Sequence, residues 1–203
     1  MKGRLVLASA SPRRIELLQL IGLDVLVIPS GIMESSLDGE APESHVTRLS
    51  QEKAESVSRE YPHDWVLGAD TIVVIDQEIL GKPETPQEAW RMLSKLSNRE
   101  HTVFTGYTIS KDAEGVIISD VVKSQVLIKN ITAEEMAWYV QTDEPYDKAG
   151  GYAVQGRGAF FIRAIHGSYT NVMGLPLCEV VDVLKRIGAI GFNGGHDGII
   201  SEG

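Results

Sequence analysis

The sequence predicts an α/β protein in which a mixed, twisted sheet is flanked by helices. Short apolar segments with strand character alternate with amphipathic helical segments, an order typical of this fold class. The stretch 5–14, LVLASASPRR, joins an apolar strand directly to a helix. Two long β-rich segments, 101–110 and 116–128, are separated by a short loop, which predicts an antiparallel hairpin.

The other elements follow from apolar spacing and from capping residues. Gly22 supplies a stop for the first helix, and Thr132 with Glu135 matches a capping box. The glycine-rich polar segment 143–158 is incompatible with a regular helix. We predict helices at 12–21, 42–61, 85–96, 132–142 and 175–187, and strands at 5–8, 24–28, 65–75, 78–80, 101–110, 116–128 and 159–165. Residues 189–203 are predicted to form a Gly-rich, loosely held tail.

Size and charge limit the class of protein. The 203 residues suit one domain or two small lobes. A formal net charge of −9 argues against broad binding to DNA or RNA, but allows a small anion in a local basic pocket. The single cysteine, Cys178, excludes an internal disulfide, and we interpret it as a core residue. With no apparent signal peptide or membrane span, we expect a cytoplasmic protein.

The turn after the first strand is the first candidate site. Pro12 suits the first position of a helix, and Ser11 is a good N-cap. The turn therefore places the hydroxyls of Ser9 and Ser11, and the guanidinium groups of Arg13 and Arg14, at a helix N-terminus. Because a helix start favours anions, this arrangement predicts a phosphate site. The alternative is an ordinary serine-capped turn with solvated arginines.

The second candidate site is a carboxylate in a strongly apolar strand. Asp70 interrupts the segment 65–75, WVLGADTIVVI, where an acid is costly unless it has a partner or a metal. Gly68 and Ala69 beside it predict room for a ligand. Lys53 falls among the apolar positions of a helix, either facing a cleft or as a lysine whose stem alone is buried. Lys82, in a later turn, either reaches back over Asp70 or is solvated.

These side chains form a coherent chemical set. Four cations without a basic surface suit one small polyanion, and two acids among them suit a divalent metal that bridges phosphates. No HExxH pattern for zinc occurs in the sequence. The cations are Arg13, Arg14, Lys53 and Lys82, and the acids are Glu34 and Asp70.

Five sequence motifs carry a resemblance to a known family. They are LASASPRR at 7–14, GADTIV at 68–73, LGKP at 80–83, DKAGGYAVQG at 147–156 and NVMGLPL at 171–177. In this order, and across nearly the whole chain, they resemble the Maf family of nucleoside triphosphate pyrophosphatases, also called septum-formation-inhibitor-like proteins. The segment around Gln155 resembles the branch that acts on dTTP and UTP, rather than the branch that acts on 7-methyl-GTP.

The resemblance implies a fold, an assembly and a reaction. We expect a single Maf-like domain over 1–188, similar to the ITPase fold, with two lobes around a central cleft, and a homodimer. The implied reaction is hydrolysis of dTTP and UTP, and of modified pyrimidine nucleotides, to the monophosphate and diphosphate with Mg²⁺ or Mn²⁺, which would clear unwanted or modified nucleotides. The alternative is a non-catalytic nucleotide-binding regulator of cell division. Neither nucleic acid nor a membrane is an expected partner.

The resemblance also implies roles for particular residues. Asp70 would be the catalytic acid–base residue and, with Glu34, would hold the metal. Arg13, Thr71 and Gln155 would discriminate between substrates. The full set implied to bind substrate is Ser9, Arg13, Arg14, Lys53, Thr71, Lys82 and Gln155. Two positions depart from the family pattern: Met33 stands where relatives often have a second acid, and Ala153 replaces a common glycine. The role of Lys148, near Asp147, is left open.

Overall fold

The structure, a computed structural model, describes residues 4–192 and 199–201 of a mixed α/β protein. Its strands are β1 (Leu5–Leu7), β2 (Leu26–Val27), β3 (Trp65–Ile75), β4 (Glu78–Leu80), β5 (Glu100–Lys111), β6 (Val116–Ile128), β7 (Ile162–His166), β8 (Ile190–Phe192) and β9 (Ile199–Ser201). Its helices are α1 (Pro12–Leu20), α2 (Pro42–Ser58), α3 (Pro86–Leu96), α4 (Ala133–Tyr139), α5 (Tyr169–Val172) and α6 (Leu177–Arg186).

Seven strands form one mixed sheet, which confirms the predicted fold class. The order is β2-β1-β3-β5-β6-β7, and β4 also pairs with β3. β1 runs parallel to β2 and to β3, whereas β3–β4 and β6–β7 are antiparallel pairs. The neighbouring strands β5 and β6 are joined by residues 112–115 alone, too short a connection for a parallel crossover, so the predicted antiparallel hairpin is also confirmed.

The chain divides into two compact units, each with its own apolar core. The first unit comprises Met1–Asp70, Thr105–Val121 and Gly174–Gly203, and the second comprises Thr71–Phe104 and Val122–Met173. A cluster in the first unit packs residues of β1, α2 and β3, among them Val6, Ala54 and Val66. The core of the second unit gathers residues of α3, α4 and the neighbouring strands around Tyr139 and Phe161. The predicted domain boundary at residue 188 stays a prediction.

Local chemistry fixes several element ends as the sequence predicted. Gly22 adopts a left-handed φ of 77° just after α1. Asp76 and Gln77 form the turn between β3 and β4 with φ of 51° and 64°. Thr132 and Glu135 make the reciprocal hydrogen bonds of the capping box at the start of α4. Residues 143–158 contain short 3-10 turns and no α-helix.

The C-terminal third departs from the predicted elements. Residues 157–161 form a 3-10 turn, so β7 begins later than predicted. The segment between β7 and α6, for which no helix is predicted, contains the short helix α5. Cys178 is exposed, so its interpretation as a core residue is wrong. β8 and β9 pair as an antiparallel ribbon within the segment predicted to be a loose tail; residues 193–198, 202 and 203 of that segment lie outside the described residues.

None of the helices in residues 4–192 and 199–201 has both the length and the apolar character needed to span a lipid bilayer.

Candidate functional site

A buried lysine–aspartate pair joins α2 to β3. The Lys53 Nζ donates to the Asp70 Oδ1 over 2.7 Å, and the two residues are only 4% and 5% exposed. An isolated charge at such burial would be strongly unfavourable, whereas each group here compensates the other. The interpretation of Lys53 as a lysine with a solvated head is therefore wrong, and its place among the apolar positions of α2 reflects true burial.

A second carboxylate reaches the same amine from the loop between β2 and α2. Glu34 Oε1 lies 2.7 Å from Lys53 Nζ, and its side chain is 49% exposed. The loop is tied back to α2 by Arg48, which donates to the Ser35 carbonyl at 3.0 Å and to the Glu40 carboxylate at 2.7 Å. The Arg48 hydrogen bond is the largest of the effects that lower the pKa of Glu40 to about 2. The lysine thus lies between an exposed and a buried carboxylate.

Two glycines allow α2 to lie directly against the sheet backbone. A Cβ atom on Gly68 of β3 would lie 2.4 Å from the Ser50 carbonyl oxygen, and one on Gly106 of β5 would lie 2.3 Å from the Val46 carbonyl oxygen. The prediction that Gly68 leaves room for a ligand is wrong, because α2 fills that space. The close approach brings the turn of α2 that carries Lys53 next to β3.

The turn before α1 holds an arginine in a fixed orientation. Arg14 is 8% exposed; its Nη1 donates to the Ser9 Oγ at 2.9 Å and its Nε to the Gly174 carbonyl at 2.8 Å. Ser11 occupies the N-cap position and Pro12 the first turn, as predicted, but the Ser11 side chain makes no cap hydrogen bond. Its backbone N–H instead donates to Ser9 Oγ at 3.2 Å.

Charge interactions link this turn to the buried pair. Burial lowers the pKa of Arg14, the nearby charges of Asp70 and Glu34 oppose that shift, and Arg13 adds to it. The charge of Arg14, in the first turn of α1, therefore interacts with both carboxylates that contact Lys53, and all of these residues belong to the first unit. A helix N-terminus with adjacent guanidinium groups can bind phosphate oxygens.

The two carboxylates fit one mode of divalent-metal binding. No group of three or more His, Cys, Asp or Glu suited to a metal occurs in the part of the chain that the structure describes. Mg²⁺, however, is commonly held by one or two carboxylates, with water and substrate phosphates completing its shell. Glu34 and Asp70, which both reach the Lys53 amine, match that smaller requirement.

The remaining residues predicted to bind substrate belong to the second unit. Thr71 is half-buried and follows Asp70 in β3, while Lys82 and Gln155 are exposed. The LGKP and DKAGGYAVQG motifs meet within this unit, because the Gly150 N–H donates to the Gly81 carbonyl at 2.9 Å. Their roles in substrate binding stay predictions.

Sequence reasoning missed several residues that shape these segments. Gly174, whose carbonyl orients Arg14, adopts a φ of 111° and lies in the NVMGLPL motif, which contains no charged residue that would indicate such a role. Glu144 hydrogen-bonds the backbone after Gln155. Lys148 donates to the Glu144 carbonyl at 2.9 Å and contacts the Asp147 carboxylate, so it braces its own segment.

Comparison with known proteins gives consistent matches across the chain. A family model described as Maf-like protein matches residues 4–187. A protein of Syntrophus aciditrophicus (strain SB), named dTTP/UTP pyrophosphatase, is 58% identical over 195 residues, 96% of this chain and 95% of the relative. One of Geotalea uraniireducens (strain Rf4) with the same name is 50% identical over 190 residues, 93% and 97% of the two chains. Among solved structures, the Staphylococcus aureus Ham1 protein aligns with a TM-score of 0.46 and 17% identity, over 78% of this chain and 79% of that one.

Proposed function

This chain belongs to the Maf-like protein family, and from that premise we propose that it hydrolyses dTTP and UTP to the nucleoside monophosphate and diphosphate. Relatives that match more than nine-tenths of the chain carry the name of this activity. The observation that carries the proposal is the buried Lys53–Asp70 ion pair. Glu34 also contacts the Lys53 ammonium group, and the charges of Asp70 and Glu34 both act on Arg14.

The reaction requires water to attack the α-phosphorus and the bond to the bridging oxygen of the diphosphate to break. Arg13, Arg14 and the start of α1 bind the phosphate oxygens, whose charge would otherwise repel the nucleophile. Asp70 accepts the proton that the attacking water releases. The diphosphate then leaves with the electron pair of the broken P–O bond. Lys53 binds phosphate and holds the Asp70 carboxylate in place before substrate arrives.

A divalent cation, Mg²⁺ or Mn²⁺, completes the proposed site. Glu34 and Asp70 would hold it, and when bound it would neutralise phosphate oxygens and make water a better nucleophile. We propose that Arg13, Thr71 and Gln155 recognise the base and that Lys82 contacts a phosphate, as the family resemblance implies. The Gln155 amide has both a donor and an acceptor and can therefore pair with the polar edge of a pyrimidine.

The deciding experiment identifies the products. We expect incubation with UTP or dTTP and Mg²⁺, followed by ion-exchange chromatography, to give the monophosphate and diphosphate in equal amounts. Release of orthophosphate with UDP, or no turnover of either nucleotide, would overturn the proposal.

A pair of variants separates an enzyme from a non-catalytic nucleotide-binding regulator. Asp70→Asn should lose turnover by about 10²- to 10⁴-fold, the range typical of general acid–base groups, while retaining nucleotide binding in calorimetry. Asp76→Asn, which removes a carboxylate paired with Arg99 at 2.6 Å, is the matched control and should turn over normally. Equal effects on nucleotide binding and turnover in Asp70→Asn would contradict the catalytic role.

We also propose the assembly and cellular setting that the family suggests. The protein would act as a homodimer in the cytoplasm, where it would clear unwanted nucleotides. Light scattering on the purified chain tests the assembly, and a monomer at micromolar concentration would contradict it.

A further inference from the structure

A carboxylate lies at the centre of the segment that carries Gln155. Glu144 Oε2 accepts the backbone N–H of Arg157 at 2.8 Å, and its Oε1 accepts that of Gly158 at 2.7 Å. The Tyr139 hydroxyl also donates to Oε1, at 2.9 Å. One side chain therefore fixes the chain two and three residues after Gln155.

The tyrosine holds the same segment from the other side. Tyr139 is fully buried, and the backbone N–H of Ala153 hydrogen-bonds to its hydroxyl group. Burial and the contact with Glu144 raise the pKa of Tyr139, so the hydroxyl remains a donor to Glu144 at neutral pH. Tyr139 and Glu144 together thus hold the backbone on both sides of Gln155.

The glycines of this segment fit tightly against the pair. Gly156 has a φ of 99°, and a Cβ atom there would lie 2.4 Å from Glu144 Oε2. A Cβ atom on Gly158 would lie 2.7 Å from the Tyr139 hydroxyl oxygen. The backbone can approach the two polar side chains this closely only because both positions are glycine.

We propose that Tyr139 and Glu144 are positioning residues that make Gln155 discriminate uracil and thymine from cytosine, an inference that rests on the proposed role of Gln155. Uracil presents an N–H donor between two carbonyl acceptors, whereas cytosine presents a ring-nitrogen acceptor beside an amino donor. Gln155 can contribute to the choice between these edges only where its amide C=O and NH₂ groups reach the base. The backbone fixed on both sides of Gln155 sets that reach, so a displaced segment loses the contribution of Gln155.

Substrate preference is the readout that a merely structural role would not change. The ratio of kcat/KM for UTP to that for CTP is measured for the unaltered protein and for E144Q, Y139F and Q155A. Glu144→Gln keeps the side-chain shape but places an NH₂ group against backbone donors. We expect this ratio to fall about tenfold in E144Q, as expected for losing a hydrogen bond to a charged group, and to fall less in Y139F. The kcat for UTP should change less than the ratio.

Glu135→Gln is the matched control. Its carboxylate also accepts a backbone N–H, that of Thr132 at 2.9 Å, and pairs with Lys129 at 2.5 Å. It lies in the first turn of α4, whereas Glu144 contacts the Gln155 segment. The E135Q variant should therefore keep the UTP preference of the unaltered protein, and an equal loss there would overturn the inference.

The outcomes separate this inference from the proposed function. If Q155A loses the UTP preference while E144Q and Y139F keep it, the positioning role is wrong and the proposed function stands. If Q155A keeps the preference, the role of Gln155 is wrong and the inference fails with it. If E144Q does not fold, Y139F decides alone, since it keeps the aromatic packing and removes only the hydroxyl group. Absence of UTP turnover in the unaltered protein would instead contradict the proposed function.

Discussion

The Lys53 ammonium group and the Asp70 carboxylate form a buried ion pair with 2.7 Å between Nζ and Oδ1. Without Lys53, Asp70 would be a buried charge that lacks its ammonium partner. Without Asp70, Lys53 would keep only the exposed Glu34 carboxylate as an ion-pair partner. The pair therefore contributes to folding as well as to the proposed chemistry, and the two contributions can be measured separately.

Breaking the pair one residue at a time should destabilise the protein more than removing both charges together. Lys53→Met leaves the Asp70 carboxylate buried without its ammonium partner, and we expect a loss of about 3–5 kcal/mol in the free energy of unfolding. The double variant Lys53→Met/Asp70→Asn should lose less than the sum of the single losses. Urea unfolding followed by circular dichroism measures both. Lys82→Met, at an exposed lysine, is the control, and strictly additive losses would contradict the prediction.

Arginine at position 14 should not be replaceable by lysine. The guanidinium group directs Nε to the Gly174 carbonyl and Nη1 to Ser9 Oγ, and a single ammonium group cannot reproduce that fork. We expect Arg14→Lys to raise the KM for UTP about tenfold, the effect of losing one oriented charged hydrogen bond. Steady-state kinetics measures it. Arg4→Lys, at a surface arginine with a 66% exposed side chain, should leave KM unchanged.

A methyl group at position 68 should disturb the Lys53–Asp70 ion pair indirectly, by displacing α2. Gly68→Ala places a Cβ atom 2.4 Å from the Ser50 carbonyl oxygen, so α2 must move away from β3. We expect a loss of about 1–3 kcal/mol in stability, as for other overpacked interiors, together with lower turnover because Lys53 moves with α2. Gly81→Ala, where a Cβ atom meets nothing within 4 Å, is the control for stability. Wild-type stability in Gly68→Ala would show that the close packing is wrong.

Acid should destabilise the protein through a buried histidine. Burial lowers the pKa of His101 from 6.5 to about 4, and its Nε2 hydrogen-bonds to the Tyr152 hydroxyl at 2.7 Å. The unfolded chain therefore binds a proton at higher pH than the folded chain does. The contribution of neutral His101 to the free energy of unfolding is fully present above pH 6.5. It is lost as the pH falls towards 4, and the loss amounts to about 3 kcal/mol.

The histidine contribution can be isolated by comparing variants across pH. Urea unfolding from pH 7 to pH 4 should show a shallower decline in stability for His101→Gln than for the unaltered protein. His63→Gln, at an exposed histidine, is the control and should follow the unaltered curve. An unchanged decline in His101→Gln would contradict the assignment.

Removing the exposed Glu34 carboxylate should raise the Mg²⁺ concentration needed for turnover but should change stability little. We expect Glu34→Gln to raise the half-saturating Mg²⁺ concentration for UTP turnover by about tenfold, comparable to other losses at metal sites. Its stability should change little, because the side chain is 49% exposed. Turnover measured across a Mg²⁺ series after chelator treatment tests this. Glu52→Gln, at a 44% exposed side chain that pairs with Arg48, should leave the Mg²⁺ dependence unchanged.

The sequence predicted features whose cause is local. The capping box at Thr132 and the stop at Gly22 depend on the residues themselves, and both are confirmed. The unfavourable placement of Asp70 in an apolar strand predicted a partner or a metal, because a buried carboxylate needs compensation whatever the fold, and Lys53 is such a partner. The family resemblance is likewise confirmed by the match over residues 4–187.

Features that depend on packing between residues far apart in the sequence could not be predicted, because no local sequence pattern indicates them. Arg14 is oriented by a carbonyl 160 residues away along the chain, and a backbone acceptor has no sequence signature. The sequence around Gly68 predicts space for a ligand, because nothing in it indicates that α2 packs against that position. Cys178 lies in an apolar stretch, yet α6 turns it outward while Leu177 and Val180 are buried.

The direct contact of α2 with the sheet backbone at Gly68 and Gly106 has a consequence for how this protein tolerates changes in its interior. A helix separated from a sheet by side chains shifts whenever those side chains change size, but a helix in contact with the backbone has no such spacer. We therefore expect an apolar substitution elsewhere in the interior to move the Lys53 ammonium group little relative to the Asp70 carboxylate. The spacing between α2 and the sheet at the two glycines is set by backbone contact and not by side-chain size.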